Sequence, residues 1–476
     1  MLGTLIAKDI RNNVLSFRFL VSFLLLFAVI TATALLLVGD YVKKQDEYAR
    51  RQIEIERYMK SYAHFNRIGN ILRPSQPPIP FLTLVRGLTS DVNIEEFDND
   101  PLPVMFPLID LTFIVAVLMS LIALIFSYDA VCGEKEDGTL KLMLANGLSR
   151  SKIILAKIAG GVITLFGPFL VSLAAGMIII LLHPRVAWTG PDWGALGLIT
   201  VGSIVYVTVF SLIGVLVSSV HRSSASSIMT SLFVWVLLVL VVPNLSPYLA
   251  SIIKPAPSRI KIARETQRIQ DVERDELGMK MAAEKRREFS VRYPVLAENL
   301  SEAEKKLRLT QDPVYREAYQ AAAAEIEQVW AEANRIQSEK ADAIERDLRR
   351  REEAQIALSI RISMLSPLAS LTYLTTDLSS TGVRNLAHFR ALSATWERAF
   401  YQDYRPRKIE ALRSQDPSAD VWNTPVDMSD APRFRYTEEG LKGRVRSTLS
   451  SFAVLLASVL VLFAAAFVAF IRYDVR

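Results

Sequence analysis

The stretch Tyr128–Lys157 reads YDAVCGEKEDGTLKLMLANGLSRSKIILAK and connects two apolar runs, residues 106–127 and 153–182. The stretch itself is charged and punctuated by glycines, whereas the runs on either side of it are almost free of charge. An apolar run of about 20 residues is long enough to cross a bilayer as a helix. The stretch is therefore predicted to be a loop, residues 128–152, between two membrane spans.

Four further apolar runs have the length of a span, at residues 19–38, 195–220, 225–247 and 447–471. The chain of 476 residues is 51% hydrophobic and also 22% charged, because the two kinds of residue are segregated along it. This segregation is typical of membrane spans joined to polar regions. The predicted fold class is an all-α polytopic membrane protein with six transmembrane helices. Pro243 and Pro247 are expected to close the fifth span.

Residues 1–18 are predicted to form an amphipathic helix at the bilayer surface, an elbow before the first span. Apolar residues recur there at helical spacing, whereas Lys8, Asp9 and Arg11 are expected on other sides of the helix. A plain charged leader is the alternative for this segment. A cleaved signal peptide is the alternative for residues 19–38, but their apolar run is longer than is usual in such peptides.

The distribution of basic residues predicts the orientation. Lys135, Lys141, Arg150 and Lys152 lie in the loop after the second span, whereas the short loop after the third span carries only Arg185. Short cytoplasmic loops collect Lys and Arg, so both termini and the 128–152 loop are predicted to face the cytoplasm. Residues 40–105 and 254–446 are then extracytoplasmic. A helix is expected at 41–67, before a proline-rich segment.

The region 254–446 is predicted to be a mainly helical, partly coiled-coil extracytoplasmic domain. A long helix is expected over 313–362, with 260–293 as its antiparallel partner and a turn between them. Its predicted seam has steps of four and three, at Tyr315, Tyr319, Ala322, Ile326, Val329, Ala333 and Ile336. A projecting stalk and a helical domain folded back on its neighbours both fit this pattern. Residues 368–382 are too short and polar to span, and are expected at the membrane boundary or as a cap on the bundle.

Several classes of chemistry have no support in the sequence. The chain has no Gly-x-x-x-x-Gly-Lys-Ser/Thr motif, so it is not expected to hydrolyse nucleotide itself. Its single cysteine, Cys132, allows no disulfide within the chain, and its four histidines are far apart. The net charge of +6 has no accompanying basic patch with interleaved aromatic residues, so no nucleic-acid partner is expected. No catalytic residue, cofactor site or metal site is therefore predicted.

The 128–152 loop and the start of the next span resemble the first cytoplasmic loop of ABC-2 type ABC transporter permeases. In that family an acidic and basic run leads through Gly-Thr into a Leu-rich helix and then a Ser-Arg turn. The matching residues are Glu134, Gly138, Thr139, Leu140, Ser149, Arg150 and Lys157, and the acidic residues Asp129, Glu136 and Asp137 complete the candidate coupling site. The apolar side of the short helix could seat in a groove of a soluble partner, and the acidic residues could pair with basic groups around it. An ordinary inter-span loop is the alternative.

The resemblance implies that the chain is a non-catalytic subunit that pairs with a second permease chain, identical or different. Two ABC ATPase subunits, which bind ATP and Mg²⁺, would dock on the loops, in a bacterial inner membrane. The large insertion between spans five and six departs from the usual short loop. Ser366-Pro367-Leu368, Ser380-Thr381-Gly382 and His388-Phe389 resemble the end of this domain in permeases of multicopper-enzyme maturation and gliding-type systems. If the domain is a stalk, an extracytoplasmic protein partner is expected. The alternative is a membrane-anchored scaffold or sensor that binds partners through its coiled coil without transport.

Overall fold

Helices account for nearly all of the secondary structure in the described part of the chain. The computed structural model describes residues 2–61, 63–87, 109–145, 149–296, 301–415, 421–422 and 424–472. The α-helices are α1 (Leu2–Val14), α2 (Phe17–Ser61), α3 (Ile68–Ile71), α4 (Leu111–Phe113), α5 (Ser120–Ile125), α6 (Cys132–Glu136), α7 (Thr139–Ala145), α8 (Arg150–Leu182), α9 (Gly190–Val220), α10 (Ser224–Val236), α11 (Val242–Ile253), α12 (Arg259–Arg268), α13 (Arg274–Arg292), α14 (Glu302–Gln311), α15 (Pro313–Ser363), α16 (Pro367–Leu378), α17 (Val383–Arg398), α18 (Arg405–Gln415) and α19 (Leu441–Arg472). Within these described ranges the only β-type pairing is an isolated antiparallel bridge between Ala63 and Val426.

Within the described part of the chain, five helices are long and apolar enough to cross a membrane, as expected of a multi-pass membrane protein. They are Phe17–Ser61, Arg150–Leu182, Gly190–Val220, Ser224–Ile253 and Leu441–Arg472. The predicted second span, 106–127, appears as a shorter apolar helix, Leu111–Ile125, with π-helical geometry at Ile114–Met119. Residues 106–108 lie outside the described part of the chain. The six predicted spans are therefore five long helices and one short one.

The helices that contain the first and fifth spans continue beyond the predicted ends of those spans. α2 continues from the first span to Ser61 without a break at Asp40, where the Asp40 carboxylate pairs with Lys44 one turn later at 3.1 Å. Pro243 and Pro247 do not end the helix of the fifth span, because α11 runs through both to Ile253. A π-helical segment at Leu237–Val241 directly precedes them. Such a segment shifts the hydrogen-bond register, which lets a helix accommodate residues that lack an N–H.

The chain divides into two compact units. The first contains residues 1–243 and 363–476, and the second contains residues 244–362. The predicted extracytoplasmic region 254–446 is thus divided. Residues 254–362 belong to the second unit, and residues 363–446 belong to the first. The main core of the first unit packs α2, α8, α9 and α19 around α5 and α16. A smaller aromatic core in the same unit joins the end of α2 to α17 and contains Met59, Trp396 and Phe400.

In the second unit, α12 and α13 run antiparallel to α15, as predicted. Ion pairs join Arg259 to Glu352 at 2.7 Å, Glu273 to Lys340 at 2.6 Å and Arg292 to Glu325 at 2.9 Å. The partners on α15 run from residue 352 down to residue 325, while those on α12 and α13 run from residue 259 up to residue 292, so the helices are antiparallel. At Gly278 a Cβ atom would lie 2.2 Å from the Trp330 ring, so only glycine allows this close approach.

The buried side of α15 differs in part from the predicted seam. Tyr315, Val329 and Ala333 are buried as expected, whereas Tyr319 and Ile336 are exposed. Ala318, Gln337 and Ala341 are buried instead. A straight helix has 3.6 residues per turn, so a strict pattern of fours and threes drifts off its buried side over several turns.

Candidate functional site

The predicted coupling loop folds into two short helices, α6 and α7, at the C-terminal end of α9. The backbone N–H groups of Val131 and Cys132 both donate to the Ser218 hydroxyl of α9, at 3.0 and 3.1 Å. Gly138 joins α6 to α7 with a φ of +71°, in the left-handed region that favours glycine. The loop is therefore attached to α9 at one end and reverses at Gly138. The sequence also predicts a turn at Asn146-Gly147, which lies outside the described residues.

An ion cluster of three side chains, here called the lysine cluster, connects the loop to α1 and α8. Lys157 Nζ lies 2.6 Å from Glu134 Oε1 and 3.2 Å from Asp9 Oδ1. The Thr139 hydroxyl donates to the second Glu134 oxygen and, at 3.1 Å, to the Glu134 carbonyl. The three charged side chains are mostly buried. One lysine thus holds two carboxylates from two other segments.

Asp9 corrects the prediction for the N-terminal helix. It is the buried residue of α1 and faces α8 rather than the polar side of the helix. A Cβ atom at Gly160 would lie 3.0 Å from the Asp9 Cβ, so the glycine allows the two helices to pack closely. Two features of the sequence could have indicated this contact. One is the carboxylate of Asp9 on the N-terminal helix, and the other is Lys157 in the otherwise apolar run of the third span.

The pKa of Glu134 is lowered from its ordinary value of 4.5. Burial by itself would raise this pKa, but the charge of Lys157 and the hydrogen bonds from Lys157 and Thr139 outweigh it. Glu134 therefore remains ionised throughout the neutral range.

Two other acidic residues of the loop also bond within the chain. Asp129 pairs with Arg18 at 2.9 Å, and Arg18 also donates to the Tyr128 hydroxyl at 2.9 Å. Glu136 accepts hydrogen bonds from the backbone N–H of Ser224 at 3.0 Å and from its hydroxyl at 2.5 Å. These bonds lower the pKa of Glu136 and place its charge at the N-terminus of α10.

The predicted Ser-Arg turn contacts the end of the last span. Arg150 donates to the carbonyl of Phe470 at 2.8 Å and to that of Ile471, at the C-terminal end of α19. A cation near helix-terminal carbonyls satisfies groups that have no partner within the helix. Ser149 precedes α8 without capping it through its side chain.

Helix α7 has one buried side and one exposed side. Leu140 is 1% exposed and packs with Ile153, Leu212 and Phe470. Leu142, two residues later, is 66% exposed, and Asp137, Gly138 and Lys141 beside it are also exposed. The exposed side is the part of the candidate site that a separate protein could reach.

Comparison with known proteins gives the family. The model of the ABC-2 family transporter protein matches residues 4–475. The chain belongs to the ABC-2 transporter family. The resemblance inferred from the loop is therefore confirmed, and the match extends over almost the whole chain.

Two relatives of this ABC-2 chain carry the same description, probable ABC transporter permease protein NosY. The protein of Stutzerimonas stutzeri is 34% identical over 124 residues, 26% of this chain and 45% of the relative. The protein of Pseudomonas aeruginosa is 34% identical over 131 residues, 27% of this chain and 47% of the relative. The chain thus spans about half the length of the curated relatives it matches. Both relatives are described as permease proteins of an ABC transporter.

The structure brings most of the predicted site residues of this ABC-2 chain together around α6 and α7. Its main difference from the expectation is that Asp129, Glu134 and Glu136 bond to Arg18, Lys157 and Ser224. Asp137 is the exposed carboxylate nearest to Leu142 in sequence. Asp9, Arg18, Ser218 and Ser224 complete the site, and sequence reasoning did not find them because each lies far from the loop in the chain.

Proposed function

We propose that this chain is the transmembrane subunit of an ATP-driven ABC-2 transporter, in which a separate ATPase acts on α7. The observation that supports this most directly is the two-sided character of α7. Leu140 is buried in the membrane unit while Leu142 is exposed beside Gly138. A short helix with an apolar exposed residue fits a groove on a soluble partner.

The contacts of the loop suggest how a push on α7 would reach the spans. Glu134 connects it to α8 and α1, Glu136 to α10, and Arg150 connects the following turn to α19. Each of these bonds has a charged partner, and charge-assisted hydrogen bonds are stronger than neutral ones. A displacement of α7 would therefore move the ends of several helices together.

In the complete assembly, two such chains would pair and two ATPase subunits would supply the ATP and Mg²⁺ chemistry. The loop and both termini would face the cytoplasm of a bacterial inner membrane, in keeping with the distribution of Lys and Arg. The work done would be export of a substrate, or force on an extracytoplasmic protein. The antiparallel helices of the second unit supply a candidate element for the latter.

Leu142→Glu tests the docking surface, with Leu142→Met as the matched control. The glutamate places a charge in the proposed apolar contact, whereas methionine keeps an apolar side chain of similar size. We expect Leu142→Glu to lower permease-stimulated ATPase activity at least about tenfold, since a buried unpaired charge costs several kcal/mol. Leu142→Met should stay within about twofold of the wild type. Both variants are measured as complexes co-purified with the ABC ATPase that we expect to be encoded beside this chain.

The outcome separates the alternatives. Loss of the ATPase from the purified Leu142→Glu particle, with the permease still folded, supports α7 as the contact. Wild-type stimulation in Leu142→Glu would remove this role from α7. Purification of an active particle without any ATPase would remove the proposed function itself.

A further inference from the structure

A second group of charged residues lies at the other end of α9, and we name it the carboxylate collar. It consists of Asp192, Asp377, Arg384, Glu438, Glu439 and Arg444. Asp192 is in the first turn of α9, whereas Ser218, which binds the coupling loop, is in its last turn. These residues are separated by about 40 Å along the helix at 1.5 Å per residue. The collar is therefore remote from the proposed ATPase contact.

Arg444 is the centre of the collar. Its guanidinium is 4% exposed and lies 2.7 Å from Glu438 Oε2 and 3.7 Å from Asp192 Oδ1. It also donates to the carbonyls of Glu439 at 2.9 Å and Leu378 at 3.4 Å. One arginine of α19 thus contacts the start of α9, the end of α16 and the segment before α19.

Asp377 lies in the last turn of α16, where the chain folds back over it. α16 ends in a turn in which the Thr381 N–H donates to the Thr376 carbonyl at 2.9 Å, and Ser380 has a positive φ of 56°. This turn brings Gly382 so close that a Cβ atom there would lie 2.6 Å from Asp377 Oδ1. The glycine is needed for this approach, and the carboxylate is enclosed between α16 and α17.

The collar contains more negative than positive charge. Asp192, Asp377, Glu438 and Glu439 are four carboxylates, and the guanidiniums that face them are Arg384 and Arg444. His388 lies 3.9 Å from Glu439, and its other ring nitrogen lies 2.9 Å from the Thr437 carbonyl. Tyr436 and, from α2, Tyr41 also face the collar.

The pKa of Asp377 is raised to about 6, mainly by burial and also by the charge of Glu439, against the lowering effects of Arg384 and a hydrogen bond from Ser447. Burial and then the charge of Asp192 also raise the pKa of Glu438, although Arg444 opposes them. Both shifts have the same physical origin, since crowded and partly buried carboxylates favour the neutral form.

We propose that the carboxylate collar is a proton-binding latch, in which Asp377 takes up a proton in mildly acidic medium and thereby holds the ends of α9, α16, α17 and α19 together. The proton removes one of the excess negative charges and lets the neutral carboxyl donate a hydrogen bond. In neutral medium the extra charge returns and the collar is loosened by repulsion. The latch would make the mobility of these helices depend on the pH of the medium on that side of the membrane.

The sign of the effect follows from the raised pKa. The folded state binds the proton more tightly than the unfolded chain, whose Asp377 would have the ordinary pKa of 3.8. The stabilisation is thus fully present below 3.8 and is lost as the pH rises through about 6. Acidification from neutral should therefore tighten the collar.

Infrared difference spectra of the full-length chain in lipid nanodiscs test the proton site directly. We expect the carbonyl band of a protonated carboxyl group to appear on acidification with a midpoint near 6. The band should be missing in Asp377→Asn. It should be unchanged in the control Asp137→Asn, which removes an exposed carboxylate of the coupling loop. A band that survives in Asp377→Asn, or a wild type without one, would overturn the proposal.

Thermal unfolding tests the latch. Asparagine resembles a carboxyl group that is always neutral, so Asp377→Asn should unfold at a higher temperature than the wild type in neutral buffer. This difference should disappear in mildly acidic buffer. Equal pH dependence of the two proteins would contradict the latch.

Arg384→Gln provides an independent arm if Asp377→Asn fails to fold. The Arg384 side chain is about half exposed, so its replacement should leave the fold intact. Loss of its positive charge should move the midpoint of the carboxyl band to higher pH. An unmoved or lowered midpoint would show that Asp377 is not the group that titrates.

Discussion

Glu134 in the lysine cluster and Glu438 in the carboxylate collar form similar ion pairs in different surroundings. Each pairs with one cation, Glu134 with Lys157 at 2.6 Å and Glu438 with Arg444 at 2.7 Å, and the Glu134 side chain is the more buried of the two, 17% exposed against 36%. Nevertheless the pKa of Glu134 is lowered and that of Glu438 is raised. An ion pair by itself therefore does not determine the charge state of a glutamate.

The neighbours of each pair explain the difference. Glu134 gains a hydrogen bond from Thr139 and the charge of Lys8, which add to the effect of Lys157. Glu438 instead faces Asp192, whose charge adds to the effect of burial. At one end of α9 the neighbours of Glu134 thus favour its charged form, as a permanent mechanical link requires. The other end is arranged to change its charge, as a sensor requires.

The largest effect is expected from removing the cation of the lysine cluster with Lys157→Met. Asp9 and Glu134 would then be two mostly buried carboxylates without their shared partner. Breaking a buried pair from one side costs about 3–5 kcal/mol. The free energy of unfolding of the purified chain in detergent measures this loss.

Lys152→Met is the matched control for Lys157→Met, because Lys152 is an exposed lysine in the first turn of the same helix. It should leave the free energy of unfolding within about 0.5 kcal/mol of the wild type. Similar losses in both variants would mean that the lysine cluster carries no special stability.

A smaller effect is expected from Glu134→Gln, and its pH dependence sharpens the comparison. A lowered pKa means that the ionised form stabilises the fold above 4.5, and this contribution is lost as the pH falls through the lower folded value. The stability difference between Glu134→Gln and the wild type should therefore persist on acidification and narrow only below pH 4.5. Unfolding midpoints measured across the acidic range test this.

Glu438→Gln is the corresponding variant in the collar. Because the pKa of Glu438 is raised, the stability difference between Glu438→Gln and the wild type should already change above pH 4.5. If both variants changed over the same pH range, the proposed contrast between the two ends of α9 would be lost.

The smallest effect is expected at the turn between α6 and α7, where Gly138→Ala keeps the lysine cluster intact. A Cβ atom at this position meets nothing within 4 Å, so the cost comes only from the positive φ of 71°. Gly138→Ala should lower the free energy of unfolding by about 1 kcal/mol. Gly138→Asn should lower it less, because asparagine tolerates this conformation better. Equal free energies of unfolding for the two variants would show that the turn is not left-handed.

The helical pairing of the second unit was predictable because it depends on local pattern. The long helix expected over 313–362 is α15, Pro313–Ser363, and its antiparallel partner lies where the sequence predicted it. The family was also predictable, because the loop motif is continuous in the chain and the family model matches residues 4–475. Helix ends were less predictable, since Pro243 lies within a helix that continues through a π-helical segment.

The charge clusters could not be read from the sequence. Asp9 and Lys157 are 148 residues apart, and Asp192 and Arg444 are 252 residues apart. No periodicity links such pairs. Their partners depend on which helix ends meet, and this is also why the acidic residues of the loop were expected to face a partner protein rather than Lys157 and Ser224.

The sequence alone determined which segments of this protein are long and apolar enough to cross a membrane, where its antiparallel helix pairing lies and which loop marks its family, because hydropathy, helix propensity and short motifs are local properties. Only the tertiary structure decided which of its charges are shared, buried or crowded. A carboxylate owes its charge state to every group within a few ångströms of it, and in this chain those groups come from helices that are hundreds of residues apart.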